Sequence, residues 1–378
     1  MIDIKRKEDC TGCWACVQRC PKQCISMHED NEGFLYPAAD ASLCIHCGLC
    51  EKVCPVINQN EKREPLAAFA ARNRSKDVRK QSSSGGVFTA LAEKVLSQHG
   101  VVFGARFDEH WEVVHDWADT AEKLNAFRGA KYTQSKIGNS FLQAEKFLKE
   151  GRIVLFSGTP CQIAGLKGFL RKPYENLLLV DVICHGVPSP GVWREYLQAE
   201  MRKRTGSTDT TAIRSLSFRD KSTGWKTYSF TYVADTNKPN LQRISMLSSV
   251  NPFMRGFLAD MYLRPSCSAC PAKSLKSGSD LTIGDYWGLE MAHPELDDDK
   301  GTNAVITSTE KGKMWLEGIA DVVELTPSTY GNILRCNPSL IHSSQTKFRR
   351  KAFFALRPLP VSTRVRLIIF ISSRFGIQ

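Results

Sequence analysis

A small α+β head joined to a larger α/β body is the fold class the sequence predicts. Three observations predict it: two cysteine-rich runs confined to residues 1–60, a polar stretch ending in proline just after them, and alternating strand-like and helix-like segments beyond. A chain of 378 residues has room for two or three domains with a sizeable core. With 42% hydrophobic and 24% charged residues, wholesale disorder is excluded.

The head rests on a repeated motif. Cys10-Thr-Gly-Cys13-Trp-Ala-Cys16-Val-Gln-Arg-Cys20-Pro21 recurs as Cys44-Ile-His-Cys47-Gly-Leu-Cys50-Glu-Lys-Val-Cys54-Pro55. Three closely spaced thiolates reach three corners of one iron–sulfur cube, and the fourth, carried off on a helical turn, ligates the other cube. Cys10, Cys13, Cys16 and Cys54 are thus expected to hold one [4Fe-4S] cluster, and Cys20, Cys44, Cys47 and Cys50 a second. Residues 1–60 read as a ferredoxin-like two-cluster domain. Pro21 and Pro55 stop the turns, while Gly12 and Gly48 let backbone amides approach cluster sulfur. Zinc ribbons would instead call for paired Cys-x-x-Cys knuckles. Cys24 lies outside both motifs and reads as a small core residue. Trp14 and His46 read as covers over the clusters.

Residues 58–65 form the linker, and a second domain spans 66–325. Its expected elements are a strand at 67–72, a helix at 86–99, strands at 101–106 and 111–117, a helix at 139–149, strands at 153–156 and 177–183, and a helix at 190–203. Phe218, Tyr228, Phe230 and Tyr232 suggest an inserted antiparallel region, followed by strands at 281–284 and 304–307.

Four islands fall at carboxyl ends of expected strands, where open α/β sheets bind ligands. Ser82-Ser-Ser-Gly-Gly86 opens a helix and is either a phosphate cradle or a serine cap after a loop. Phe156-Ser-Gly-Thr-Pro-Cys161-Gln is a second candidate cradle. Asp181-Val-Ile-Cys184-His185-Gly186 ends the next strand. Cys267-Ser-Ala-Cys270 precedes Gly284-Asp285-Tyr-Trp287-Gly288. Cys161, Cys184, Cys267 and Cys270 supply the four thiols a cubane needs, so a third [4Fe-4S] cluster is expected there. A redox dithiol pair and unconnected buried cysteines are the alternatives.

Net charge is +12 and unevenly placed: residues 1–60 hold six Lys/Arg against eight Asp/Glu, and no acidic residue follows Glu324. Residues 326–378 are a basic C-terminal extension. No zinc finger or aromatic-interleaved basic patch accompanies it, so nucleic acid is not an expected partner. Val361, Val365, Leu367, Ile368, Ile369, Phe370 and Ile371 alternate with Arg364, Arg366 and Arg374, which either gives weak peripheral contact with an anionic membrane or packs on the body. No window nears the roughly 18 apolar residues of a membrane span. Fourteen cysteines without an apolar leader point to a reducing, cytoplasmic setting.

The chain resembles the coenzyme F420 hydrogenase/dehydrogenase beta-subunit family from Cys10 to about Asp321. The resemblance rests on Ser83-Ser84-Gly85-Gly86, Gly129-Ala-Lys131-Tyr132-Thr-Gln134-Ser135, Gly158-Thr159-Pro-Cys161-Gln162, Cys184-His185-Gly186, Phe218-Arg-Asp-Lys-Ser-Thr-Gly-Trp225, and Arg264-Pro-Ser-Cys267-Ser-Ala-Cys270 with Gly284-Asp285-Tyr-Trp-Gly288. It implies an iron–sulfur flavoprotein with FAD in the α/β body. Ser83, Ser84, Gly85 and Gly86 would lie near pyrophosphate, Lys131, Tyr132 and Gln134 near the ribityl or ring, and Gly158, Thr159 and Gln162 at the second cradle. His185 is expected either to shuttle a proton or to bond backbone behind Cys184; Asp285 either orients flavin or substrate or caps a strand end. Trp225 and Trp287 stack on a ring or fill the core. The basic tail resembles those of members encoded near bacterial polysaccharide-synthesis enzymes, so the small-molecule electron acceptor or donor is either coenzyme F420-like or a polysaccharide-pathway substrate. The alternative is a non-catalytic electron-transfer subunit that docks on a redox protein partner, a separate dehydrogenase or reductase.

Overall fold

In the head, each cysteine triplet runs into a short helix, Ala15–Arg19 or Leu49–Lys52, and the fourth cysteine stands just beyond it with proline behind. Between the two repeats lies a hairpin of β1 (Ile25–Glu29) and β2 (Leu35–Ala39), paired antiparallel from Ile25 opposite Ala39 to Glu29 opposite Leu35. The computed structural model describes residues 1–236, 240–345 and 347–375.

The body is organised by β3 (Ala67–Asn73), β4 (Val101–Phe107), β5 (Val113–Ala118), β6 (Val154–Gly158), β7 (Leu177–Val182), β8 (Ile213–Asp220), β9 (Ser229–Ala234), β10 (Gln242–Leu247), β11 (Leu281–Asp285), β12 (Asn303–Thr307) and β13 (Val323–Ser328). Eight of them form one sheet in the order β13-β3-β12-β11-β7-β6-β4-β5. Its centre, β4, β6, β7 and β11, is parallel, and the flanking pairs are antiparallel.

Side chains alternate across a strand, and a parallel sheet is covered on both faces, which explains the unbroken apolar runs in β6 and β7. Leu178 and Val180 join a core with Val87, Leu91 and Val95 of helix Val87–Ser97 on one face. Leu177 and Leu179 join Phe141 of helix Ser140–Lys149 and Ile163 and Leu166 of helix Pro160–Leu170 on the other. The head's Cys13, Ala15 and Val53 belong to that second core, so the head docks on this helical face. β5 begins later than the sequence pattern suggests because Asp108 and Trp111 close a turn, with Trp111 at φ 62. β13 runs through residue 325 and pairs with β3.

The inserted region is a three-stranded antiparallel sheet, β10-β9-β8, whose Phe218, Tyr228, Phe230 and Tyr232 pack on helices Pro190–Thr205 and Pro252–Leu258. The basic extension closes this same core. Phe353 of helix Lys347–Ala355 and Val361, Val365 and Ile368 of helix Val361–Phe375 are buried within it. Arg364 is buried with them, ion-paired to Glu195 and 4.3 Å above the Phe353 ring. The tail's main apolar face is therefore spent on the body, leaving Leu367 and Phe370 outermost. Residues 376–378 of the extension lie outside the described residues. Among the described residues no helix is long and apolar enough to cross a membrane.

Candidate iron–sulfur redox site

The two cysteine loops of the head share one backbone device. In the first, Gly12 (φ 67) and Trp14 (φ 67) flank Cys13; in the second, His46 (φ 52) and Gly48 (φ 70) flank Cys47. Each loop thus carries two left-handed residues around its middle cysteine, one of them glycine. That curvature turns amides toward sulfur. Ile2 donates its N–H to Cys50 Sγ at 3.3 Å and His46 to Cys44 Sγ at 3.4 Å. The amides of Ala15, Val17 and Val56 reach Cys13, Cys16 and Cys54.

Two hollows result, each with about 360 Å³ of open space. One is lined by Cys10, Cys13, Cys16 and Cys54, the other by Cys20, Cys44, Cys47 and Cys50. These are the two ligand sets expected from the motif. Cys24 is buried, as expected, yet it also lines the second hollow, with its Sγ 3.4 Å from that of Cys20. Among the described residues no three His, Cys, Asp or Glu side chains converge as a single metal ion would require. In each set the thiols ring a hollow, the arrangement whose corners a cube would occupy. Burial pushes the Cys13 thiol far up and that of Cys16 to about 12, so thiolates there need a cationic centre to offset them.

In the body, β6, β7 and β11 end on one edge of the sheet, and antiparallel β3 and β12 bring the Ser82–Gly86 loop and Asn303 to that same edge. Cys161 follows β6 inside the first turn of helix Pro160–Leu170, whose Thr159 and Gln162 make a reciprocal capping box. Cys184 follows β7. Cys267 and Cys270 are held by the short 3-10 helix Pro265–Ala269. The four thiols are neighbours: Cys161 and Cys184 each feel Cys267 and Cys270, and Val187 N–H donates to Cys267 Sγ at 3.4 Å. Burial pushes Cys161 to about 12 and Cys267 to about 11, and Cys184 well above the usual thiol range. Lys273 donates to the Cys184 carbonyl and supplies an opposing positive charge.

Two of the contacts between head and body join the two groups of cysteines. A Cβ at Gly165 would lie 2.7 Å from Cys13 Cβ, and Gly165 is one helical turn from Cys161. Arg264, three residues before Cys267, donates from Nε to the Cys10 carbonyl at 2.7 Å, while its own carbonyl accepts the Cys267 N–H at 2.9 Å.

Comparison with known families completes the picture. Residues 9–58 match the 4Fe-4S dicluster domain. Residues 68–141 and 151–329 match the N-terminal and C-terminal parts of coenzyme F420 hydrogenase/dehydrogenase, beta subunit. The chain belongs to that beta-subunit family. No curated protein matches it. Among solved structures, a chain from a xenon derivative of the F420-reducing [NiFe] hydrogenase complex of Methanosarcina barkeri aligns at 16% identity over 77% of this chain and 92% of that chain. Its TM-score is 0.47, a likeness that carries no argument.

As a member of the beta-subunit family, the chain carries iron–sulfur redox chemistry in its head. Many residues expected to touch flavin are engaged with protein partners. Ser84 Oγ donates to the Thr302 carbonyl, a Cβ at Gly85 would strike the Ala71 carbonyl, and the Val87 N–H after Gly86 is taken by Asn303. Lys131 Nζ caps the carbonyls of Ala126, Arg128 and Gly129 at 2.9–3.1 Å, and burial draws it down to about 7. Tyr132 lies 5.0 Å from the Phe257 ring. Gln134 faces the head, donating to the Thr11 carbonyl at 2.9 Å. Gln162 is held by Ser135 and Thr159. Ser83, Gly158 and Thr159 stay partly open at the strand-end edge.

Asp285 is clamped between the buried Arg219 at 2.7 Å and Trp225 Nε1 at 3.0 Å. Trp225 and Trp287 stack on each other, ring centres 4.9 Å apart. His185 meets neither backbone nor solvent alone: its Nε2 is 2.6 Å from Asp260 Oδ1, and the ring is 35% exposed. Arg264, Gly165 and His115 were missed as site residues. Only the position of Arg264 before Cys267, and a glycine one turn after Cys161, signalled the first two.

Proposed function

We propose that the chain is a flavin-dependent iron–sulfur oxidoreductase that passes electrons between two head [4Fe-4S] clusters, a third at Cys161, Cys184, Cys267 and Cys270, and FAD at the strand-end edge. Its acceptor or donor is a hydride-type small molecule, coenzyme F420-like or from a polysaccharide pathway. When bound, the cubes move single electrons, and the flavin joins one-electron to hydride chemistry. One observation carries the reading: the four body thiols gather at one sheet edge, joined to the head's inner cysteine set through Arg264 and Gly165.

The chain's own residues divide the work. Cys47, the exposed member of the head set, marks the solvent side, and the buried Cys10 and Cys13 mark the body side. Ser83, Gly158 and Thr159 line the edge left to the flavin; Ser83 Oγ accepts the Ala130 N–H and keeps its hydroxyl proton for a ligand, while Thr159 is held by Gln162. His185, with Nε2 2.6 Å from Asp260 Oδ1, is the proton-shuttling group at the edge beside Cys184. Asp285 acts by position, fixing Trp225 and Arg219 rather than reacting. The test is the cofactor content of anaerobically purified protein. About twelve irons and twelve acid-labile sulfides per chain with one flavin are expected; about eight of each would remove the third cluster.

A second reading has support from the same geometry, because Lys131, Gln134 and Asp285 are all committed to protein contacts. In it, the chain is an electron-transfer subunit within a larger redox assembly. Turnover of reduced deazaflavin, NAD(P)H or a sugar-type substrate by the purified chain alone favours the enzyme; turnover only with added protein favours the subunit.

A further inference from the structure

Arg264 is 1% exposed, one of the largest fully buried side chains in the protein. Its hydrogen-bond acceptors are the Cys10 carbonyl at 2.7 Å, Gln134 Oε1 at 2.9 Å, the Leu35 carbonyl at 2.9 Å and Cys10 Sγ at 3.6 Å. All are neutral groups or a cluster sulfur rather than a carboxylate, so its charge is not cancelled at short range. The rings of Tyr36 and Phe34 lie 4.3 and 5.4 Å from the guanidinium carbon. The head loop is shaped around it, because a Cβ at the left-handed Gly12 would fall 2.8 Å from the guanidinium.

Among the described residues the outer hollow has no buried cation: Lys22, which lines it, is exposed. The Met1 ammonium faces Cys44 and Cys50, but it is exposed and paired with Glu51 at 2.8 Å. A buried, unneutralised cation acts on a nearby charge far more strongly than an exposed, paired one. Each reduction adds a negative charge, so a cation and N–H donors at a ligand sulfur favour the reduced form.

We propose that Arg264 sets the direction of electron transfer between head and body, holding the potential of the cluster at Cys10, Cys13, Cys16 and Cys54 above that of the cluster at Cys20, Cys44, Cys47 and Cys50. This rests on the relay described under the proposed function. One electron leaves the outer cluster, which is oxidised, and reduces the inner one; no bond to hydrogen forms. The electron then stands beside the Arg264 carbonyl that accepts the Cys267 N–H.

The test is a dithionite titration of the anaerobically purified full chain, followed by electron paramagnetic resonance, comparing the wild type with Arg264→Gln and Arg264→Lys. Arg264→Gln is expected to lower one head-cluster potential by about 59 mV, a tenfold change for one electron, and leave the other in place. Arg264→Lys keeps the charge and is expected to hold most of that potential. Should Arg264→Gln lose its clusters, Gln134→Glu neutralises the guanidinium in place and predicts a shift in the same direction. Unchanged potentials, or equal shifts of both head clusters, overturn the role of Arg264 while leaving the relay intact. A wild-type chain that binds no iron overturns the relay itself.

Discussion

His115 lies wholly inside the body, with its Nδ1 2.8 Å from Ser135 Oγ and its Nε2 2.9 Å from the Ser157 carbonyl. A carbonyl can only accept, so Nε2 carries the proton and Nδ1 accepts from Ser135. Ser135 Oγ in turn accepts from Gln162, whose side-chain oxygen accepts the Thr159 N–H at the mouth of the Cys161 helix. The ring thus anchors the loop that presents Cys161. Burial pulls its pKa from 6.5 to about 4. Between those values the unfolded chain binds the proton and the folded one does not. The stabilisation is therefore complete above about pH 6.5 and is lost as pH falls toward 4, by roughly 3 kcal/mol. Denaturant unfolding of His115→Gln against wild type across pH 4–7 should show a flatter profile in the variant. An unchanged slope would place the titration elsewhere.

Helix Pro160–Leu170 shows what a single element decides. Its capping box and N1 proline fix where it starts, and Gly165 and Gly168 let the head's Cys13 and Val53 lie against it. In an exposed helix Gly→Ala would add up to about 1 kcal/mol. Here the new Cβ would sit 2.7 Å from Cys13 Cβ, and overpacking of about 1–3 kcal/mol wins. Gly165→Ala is expected to lower the melting temperature and to speed proteolysis in the linker at residues 58–65, as the head loosens. The strands and the cysteine sets were legible because period-two apolar runs and triplet spacing are local signals. The β1–β2 hairpin was not, since its strands are only five residues long and β2 carries Pro37, which argues against a strand. Nor were the partners of Gln134 and Asp285, because those contacts join residues 123 and 66 positions apart.

Across the whole molecule, the basic extension is the last layer of a core it shares with β8, β9 and the helices Pro190–Thr205 and Pro252–Leu258. Burying side chains such as Phe353, Val365 and Ile368 is worth about 1.5–3 kcal/mol each. A chain ending at residue 345 is expected to aggregate or unfold at lower denaturant, measured by solubility and urea midpoint. A tail serving only to touch membranes would leave both unchanged. The contact between Arg264 and Cys10 also orders the protein's assembly in time. The first loop is synthesised long before its arginine emerges, so the guanidinium reaches Cys10 only once the strands on either side of residue 264 are made, whereas the hollow at Cys10, Cys13, Cys16 and Cys54 is walled by head residues alone and keeps Cys16 and Cys54 partly exposed. Iron can thus reach the head's own sulfurs before the body is complete, and a finished apoprotein is expected to take it up without undocking.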